Sequence, residues 1–302
     1  MCGGEKCLSK EGKLAVMFVP RKVLEEKLLQ LLVEDVGQGD VTSAAIVPVD
    51  CTAIAEVLAK AAGTVAGIEE VTILCEALGL QVKIEVVDGE AVKKGQVLIV
   101  ISGDATTILT AERTMLNLLS RMSGIATATR CLTNKIKKAH LKTKVAATRK
   151  TAPGLLYFDK KAIITGGGDP HRLHLDDMVL IKDNHVAVAG NLEKAVKLAK
   201  KNASFSKKIE VEVTTASDAL RAAELGADII MLDNFEPIQI EEAVALLKKG
   251  GFDGRVLLEA SGGITEENLL DYAAAGVDLI SLGELTHSVK ALNISLEIVK
   301  VA

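Results

Sequence analysis

No uninterrupted apolar stretch in the 302-residue chain approaches the roughly 18 residues that a bilayer-spanning helix needs, so a membrane span is not expected. Cysteine is scarce and scattered: Cys2, Cys7, Cys51, Cys75 and Cys131 are odd in number, with only one close pair. That spacing argues against a disulfide framework or a zinc cluster, leaves Cys2 and Cys7 as residues of a tail, and points to a reducing, cytoplasmic setting. Proline is rare as well, at 5 residues, and abundant Ala, Val, Leu and Ile accompany 25 glycines. Such a composition excludes collagen-like, disordered and disulfide-scaffold classes and can fill a packed core. A basic excess is also missing: 36 Lys and Arg against 40 Asp and Glu leave a formal charge of −4. General nucleic-acid binding is therefore not expected, and any anion site must be locally basic. Residues 1–21 carry Lys6, Lys10 and Lys13 but only the short apolar run Leu14–Val19, so they do not read as a signal peptide.

Two domains are expected, with 1–22 an N-terminal extension, 23–140 an α/β sandwich with a linking helix, 141–288 a catalytic barrel and 289–302 a segment packing back on the first domain. Val23–Glu34 places five apolar residues on one helical stripe, closed by Gly37 and Gly39. Leu80–Val87 alternates as a strand, Asp88-Gly89 is a turn, and Val97–Ile101 is a second strand; a helical stripe occupies Thr64–Gly79. A long helix is predicted over Asp104–Lys138, with Gly124 as a kink. Beyond it, short apolar strands alternate with helical stretches: Lys144–Ala147, Met178–Ile181, Ile209–Val213, Ile229–Leu232, Val256–Leu258 and Leu279–Leu282. This is the rhythm of βα units around a parallel sheet buried on both faces. Polar residues at each strand's C-terminal end favour a barrel, and six visible strands make it an incomplete one.

Arg149, Lys150, His171, Arg172, Lys182 and His185 follow such strands and are expected to converge. A cationic cluster in a partly dry cleft needs a polyanion, because unpaired buried charges are costly; carboxylates and phosphates are the natural guests. Taken singly, each of these residues could equally sit on a solvated loop. In Ile209–Val213 the period of two puts Glu210 and Glu212 on one face, and Asp233 ends the next strand. Glu212 and Asp233 either hold Mg²⁺ beside bound phosphates or balance the lysines structurally. Ser261-Gly262-Gly263 and Ser281-Leu282-Gly283 expose backbone amides after the last two strands, where barrels bind phosphate monoesters, and Thr265 marks a helix start behind them. The residues thus describe an enzyme joining a carboxylated small molecule to a phosphorylated sugar.

In chain order, Glu34–Ser43, Ala111–Asn117, Ser123–Thr127, Thr148-Arg-Lys-Thr151, Gly166–Gly168, His171–Leu173, Ile181-Lys-Asp-Asn-His185, Glu210–Val213, Leu232–Phe235, Ser261–Gly263 and Leu285–Ser288 resemble the motifs of the quinolinate phosphoribosyltransferases. The resemblance runs from about Val23 to Ile298 and implies an N-terminal α/β sandwich with an incomplete α/β barrel. It implies transfer of phosphoribose from phosphoribosyl pyrophosphate to quinolinate with decarboxylation. Carried over by motif, Arg113, Arg149, His171 and Arg172 would grip the two carboxylates, and Lys150 and Lys182 would neutralise substrate and pyrophosphate. Glu212 and Asp233 would lie near the ribose and Mg²⁺, and Ser261, Gly262, Gly263, Ser281 and Gly283 would hold the 5′-phosphate. Arg113 would reach a neighbouring subunit's site, implying a homodimer with shared active sites, or a higher oligomer. The chain departs from the pattern at Leu156, where an Arg is frequent, and at Asp169-Pro170. Two rivals stand beside this reading: a transferase for nicotinate or another carboxylated heterocycle, and a non-catalytic phosphosugar sensor. Lys182, and the number of cations one carboxylate would leave unpaired, favour quinolinate.

Overall fold

The computed structural model describes residues 19–302. Cys2, Cys7 and most of the Leu14–Val19 run lie outside them. The predicted first stripe forms α1 (Arg21–Val36), which buries Leu24, Leu28 and Leu32 on successive turns. Asp40 then caps α2 (Val41–Ile46), its carboxylate accepting from the Thr42 and Ser43 amides at 3.0 Å each.

An antiparallel sheet is built from β1 (Thr52–Ala59), β3 (Gln81–Ile84), β5 (Val97–Asp104) and the C-terminal β12 (Ile294–Val301), in the order β12-β1-β5-β3. Alternate residues of β1, Ala53, Ala55, Val57 and Ala59, are buried, as a half-covered strand requires. The short pair β2 (Gly63–Thr64) and β4 (Ala91–Val92) flanks α3 (Ile68–Ala77). β3 is shorter than the Leu80–Val87 alternation predicts. The Glu85 and Val86 amides both donate to the Leu98 carbonyl, at 3.0 and 3.2 Å, which breaks the register; Asp88 then turns to cap the Ile68 amide at 2.9 Å.

α4 (Ala105–Lys138) runs unbroken for 34 residues, about 51 Å at 1.5 Å per residue. Asp104 caps its start at 2.7 Å from the Thr107 amide, and Lys135, Lys137 and Lys138 complement the dipole at its end. The helix is continuous through Gly124. A Cβ there would lie 2.3 Å from the Lys290 carbonyl oxygen, so the missing side chain serves close packing of the chain that leads into β12.

The second half is a parallel sheet of β6 (Lys144–Ala147), β7 (Val179–Ile181), β8 (Ile209–Val213), β9 (Ile229–Asp233), β10 (Leu257–Ser261) and β11 (Leu279–Leu282), in the order β6-β11-β10-β9-β8-β7. Its edges, β6 and β7, are not paired with each other, so the barrel is open between its first two strands. A single bridge from Ala146 to Asp169 is the only pairing described across part of that gap. The helices α5 (Leu156–Gly166), α6 (Asp183–Ala189), α7 (Leu192–Asn202), α8 (Ala216–Glu224), α9 (Pro237–Lys249), α10 (Leu269–Ala274) and α11 (Glu284–His287) follow the strands, as in βα units. α10 begins four residues after Thr265. Asn268 accepts from the Thr265 amide at 2.7 Å and donates to the Gly263 carbonyl at 3.1 Å, holding a turn where the helix was expected to start. α5 packs on α4 and joins the two halves. No helix among the described residues is long and apolar enough to cross a membrane.

Candidate active site

Parallel strands end together, so the residues after them share one rim. A cleft of about 290 Å³ at that end is lined by Arg149, Lys150, His171, Arg172, Lys182, Glu212, Asp233, Glu259, Ser261 and Ser281, among others. Five of the six predicted cations therefore meet. His185 does not: it is exposed, and its Nδ1 accepts from the Lys182 amide at 3.0 Å, closing the first turn of α6. Lys182 itself is ion-paired with Glu212 across the cleft. Arg113 lies outside it, on α4, with 64% of its side chain exposed.

Below the cations the barrel interior is acidic. Glu210 and Glu259 are buried at 0% and 1% exposure, on β8 and β10. His171 Nε2 lies 2.9 Å from Glu259 Oε2 and 3.5 Å from Glu210 Oε2. Burial opposes the charged imidazole, but the Glu259 hydrogen bond and the charges of Glu259 and Glu210 overcome it, so the His171 pKa is raised. Burial and the Glu259 charge push the Glu210 carboxyl up to about 7. The sequence placed Glu210 and Glu212 on one face but could not show that this face is the barrel interior. Nor could it show that His171 is held through Nε2 by acids rather than free on both nitrogens.

The two late turns are shaped by steric necessity. Gly262 has φ +95, and a Cβ on it would lie 2.2 Å from Asn234 Oδ1. Asn234, itself at φ 56, donates its amide to the Ser261 carbonyl at 2.8 Å and its side chain to Asp233 at 2.8 Å. Gly263 is left-handed too, at φ +64, and a Cβ on Gly283 would lie 3.1 Å from Lys150 Cδ. Ser261 and Ser281 line the cleft, with Gly262, Gly263 and Gly283 directly after them. Ser281 Oγ is buried with no hydrogen-bond partner among the described residues, which leaves a donor for a ligand.

Side chains behind the cleft complete it and carried no signal in the sequence. Arg121 on α4 makes a bidentate pair with fully buried Asp159, at 2.7 and 2.8 Å, and donates to the Thr286 carbonyl at 2.9 Å. Thr286 Oγ1 in turn donates to the Lys150 carbonyl at 2.9 Å. Lys160, at 0% exposure, donates to the carbonyls of Pro170 and Arg172.

An open parallel barrel joined to an antiparallel sheet, with a cationic cleft at its strand ends and left-handed glycine turns beside it, defines a barrel enzyme for polyanionic substrates. Residues 40–123 match the family model Quinolinate phosphoribosyl transferase, N-terminal domain, and residues 125–297 match its C-terminal domain. The chain belongs to the quinolinate phosphoribosyltransferase family. It is 47% identical over 279 residues to the probable nicotinate-nucleotide pyrophosphorylase [carboxylating] of Methanocaldococcus jannaschii, covering 91% of this chain and 97% of that one. The protein of the same description from Archaeoglobus fulgidus is 46% identical over 262 residues, 87% of this chain and 99% of that one. Among solved structures, NadC from Streptococcus pyogenes superposes with a TM-score of 0.86 at 34% identity, covering 95% of this chain and 99% of that one.

Proposed function

We propose that this cleft transfers the phosphoribosyl group of phosphoribosyl pyrophosphate to the ring nitrogen of quinolinate. The 2-carboxylate leaves as CO₂ and pyrophosphate is released, giving nicotinate mononucleotide for de novo NAD synthesis. The observation that carries this reading is the meeting of Arg149, Lys150, His171, Arg172 and Lys182 in one cleft opposite Glu212 and Asp233. Two arginines and a histidine whose pKa is raised by Glu259 and Glu210 suit a vicinal dicarboxylate, since planar guanidinium forks match carboxylates. Lys150 and Lys182 supply point charges for pyrophosphate, and Ser261, Gly262, Gly263, Ser281 and Gly283 take the 5′-phosphate.

Pyrophosphate departs as negative charge grows on it, and Lys150 and Lys182 stabilise that charge. Positive charge developing at C1′ is eased by Glu212 and Asp233. The Lys182–Glu212 pair keeps both groups compensated until a substrate separates them. Glu212 and Asp233 are hard oxygen donors on neighbouring strands that line the same cleft, a donor set that fits Mg²⁺ held largely by water and substrate phosphates. When bound there, the ion would add charge neutralisation at the leaving group. Once the ring nitrogen is alkylated, the pyridinium accepts the electron pair left at C2 by decarboxylation, and Arg149 and Arg172 orient the departing carboxylate.

Arg113 supports a homodimer with shared sites, since it stands exposed on α4 away from its own cleft. Among the described residues Cys51, Cys75 and Cys131 form no disulfide with one another, which supports a reducing, cytoplasmic setting.

The test is an assay with quinolinate, phosphoribosyl pyrophosphate and Mg²⁺ that follows nicotinate mononucleotide and CO₂ together, with nicotinate in parallel. One-for-one product and CO₂ from quinolinate alone is expected. Turnover of nicotinate instead would move the substrate to a monocarboxylate, and binding without turnover would make the protein a sensor.

A further inference from the structure

The segment from Asp169 to Arg172 brings two of the cleft's cations to the open side of the barrel, and its ends are tied down. Asp169 exchanges backbone hydrogen bonds with β6: its amide donates to Val145 at 2.8 Å, and its carbonyl accepts from Ala147 at 3.0 Å. Downstream, Asp177 accepts from the Leu173 and His174 amides at 2.6 and 2.9 Å. Between these anchors His171 adopts φ 54, a left-handed conformation unfavourable for a residue with a Cβ, so something must hold it there. The His171 amide donates to Asp169 Oδ1 at 2.8 Å. Its ring is held by Glu259 at 2.9 Å, and a further constraint on the backbone comes from underneath. The Lys160 ammonium, fully buried on α5, donates to the carbonyls of Pro170 and Arg172, one on each side of His171.

A buried ammonium whose two hydrogen bonds both go to neutral carbonyls is a costly way to fill space. Arg149 and Arg172 raise that cost by repulsion, and Asp169 and Asp159 offset only part of it. An apolar side chain of the same length would pack there without that penalty. The three-donor geometry of a lysine is what can draw two carbonyls inward around a single residue. Drawing in both carbonyls turns His171 onto Glu259 and Arg172 toward the cleft.

We propose that Lys160 is a positioning residue for the dicarboxylate half of the site: its ammonium, clamped to the carbonyls of Pro170 and Arg172, sets where His171 and Arg172 present their charges. This rests on the quinolinate reading above, so one arm of the test needs no substrate. Lys160→Met keeps the length and removes the donors; Lys160→Gln keeps a neutral amide donor group without the charge and serves if the methionine variant does not fold.

In the quinolinate assay, the substituted enzyme is expected to show a quinolinate KM raised by about tenfold or more, because displacing a gripping group by around 1 Å can cost up to roughly a hundredfold. The KM for phosphoribosyl pyrophosphate, whose partners lie at the ends of β8 to β11 and at Lys150 and Lys182, is expected to stay near that of the wild type. By mass spectrometry, the backbone amides of Asp169 and of residues 171–173 are expected to exchange hydrogen faster than in the wild type, with those of α4 unchanged. An unchanged quinolinate KM, an equal rise in both KM values, or unaltered exchange at Asp169 and 171–173 would each overturn the proposal. Should the wild type fail to turn over quinolinate, the functional reading falls and the exchange measurement alone decides the role of Lys160.

Discussion

His171 and Lys160 show how far residue identity alone fails to specify chemistry. Both are basic, yet their surroundings act on them in opposite senses. Glu259 and Glu210 raise His171 against the cost of burial, whereas burial pulls Lys160 down to about 8, with Arg149 and Arg172 adding to the effect. For Lys160 the sign of the linkage is definite. The folded protein releases this proton more readily than the unfolded chain, whose lysine titrates near 10.5, so unfolding takes up a proton between those pH values. Stability contributed by this site is therefore present above the unfolded value and lost as pH falls through about 8. Denaturant unfolding of the wild type and of Lys160→Met across pH 7–10.5 should show the wild type gaining on the variant as pH rises above about 8. A constant difference would mean that the ammonium is solvated. Residues at the strand ends were legible in the sequence because apolar runs end visibly. Lys160, Asp159 and Arg121 were not, because a charged residue inside a helix reads as solvent-facing until packing covers it.

Among the elements, α4 was legible in its limits but not in the packing around Gly124. An Asp cap, an apolar stripe and a basic last turn, all local features, set its limits in the structure. The part played by Gly124 depended on a chain segment more than 160 positions away by number, 290–291, whose backbone lies against it. Gly124→Ala should therefore overpack that contact and cost about 1–3 kcal/mol, although alanine is the better helix former. A lowered thermal midpoint would bear this out; a raised one would show that the segment moves aside freely. The barrel strands were readable because strands buried on both faces are continuous apolar runs. β3 was over-read, since alternation continues past the point where Glu85 and Val86 share one carbonyl and pairing stops. The helix expected at Thr265 was misplaced because the Asn268 side chain supplies a competing turn.

For the whole molecule, the proposed sharing of Arg113 between subunits makes a prediction that no single chain can satisfy. Arg113→Ala and Lys182→Ala chains should each be inactive alone. When co-assembled, they should recover activity, since a mixed dimer holds one site with Lys182 of the first chain and Arg113 of the second. Confirmed mixed dimers without activity would confine the site to one subunit.

Pattern and spacing along the chain were enough for the α/β class, the six strands of an incomplete barrel, and the cations and acids gathered at its rim. Each of these follows from the period of side chains along an element and from the common end of parallel strands. Tertiary structure decided which charges face each other: His171 onto Glu259 and Glu210, Lys182 onto Glu212, Asp159 onto Arg121, and Lys160 beneath the 169–172 turn. The contacts in these pairs reach only a few ångströms and join residues as many as 88 positions apart, so they exist only once the apolar layers have fixed the backbone around them.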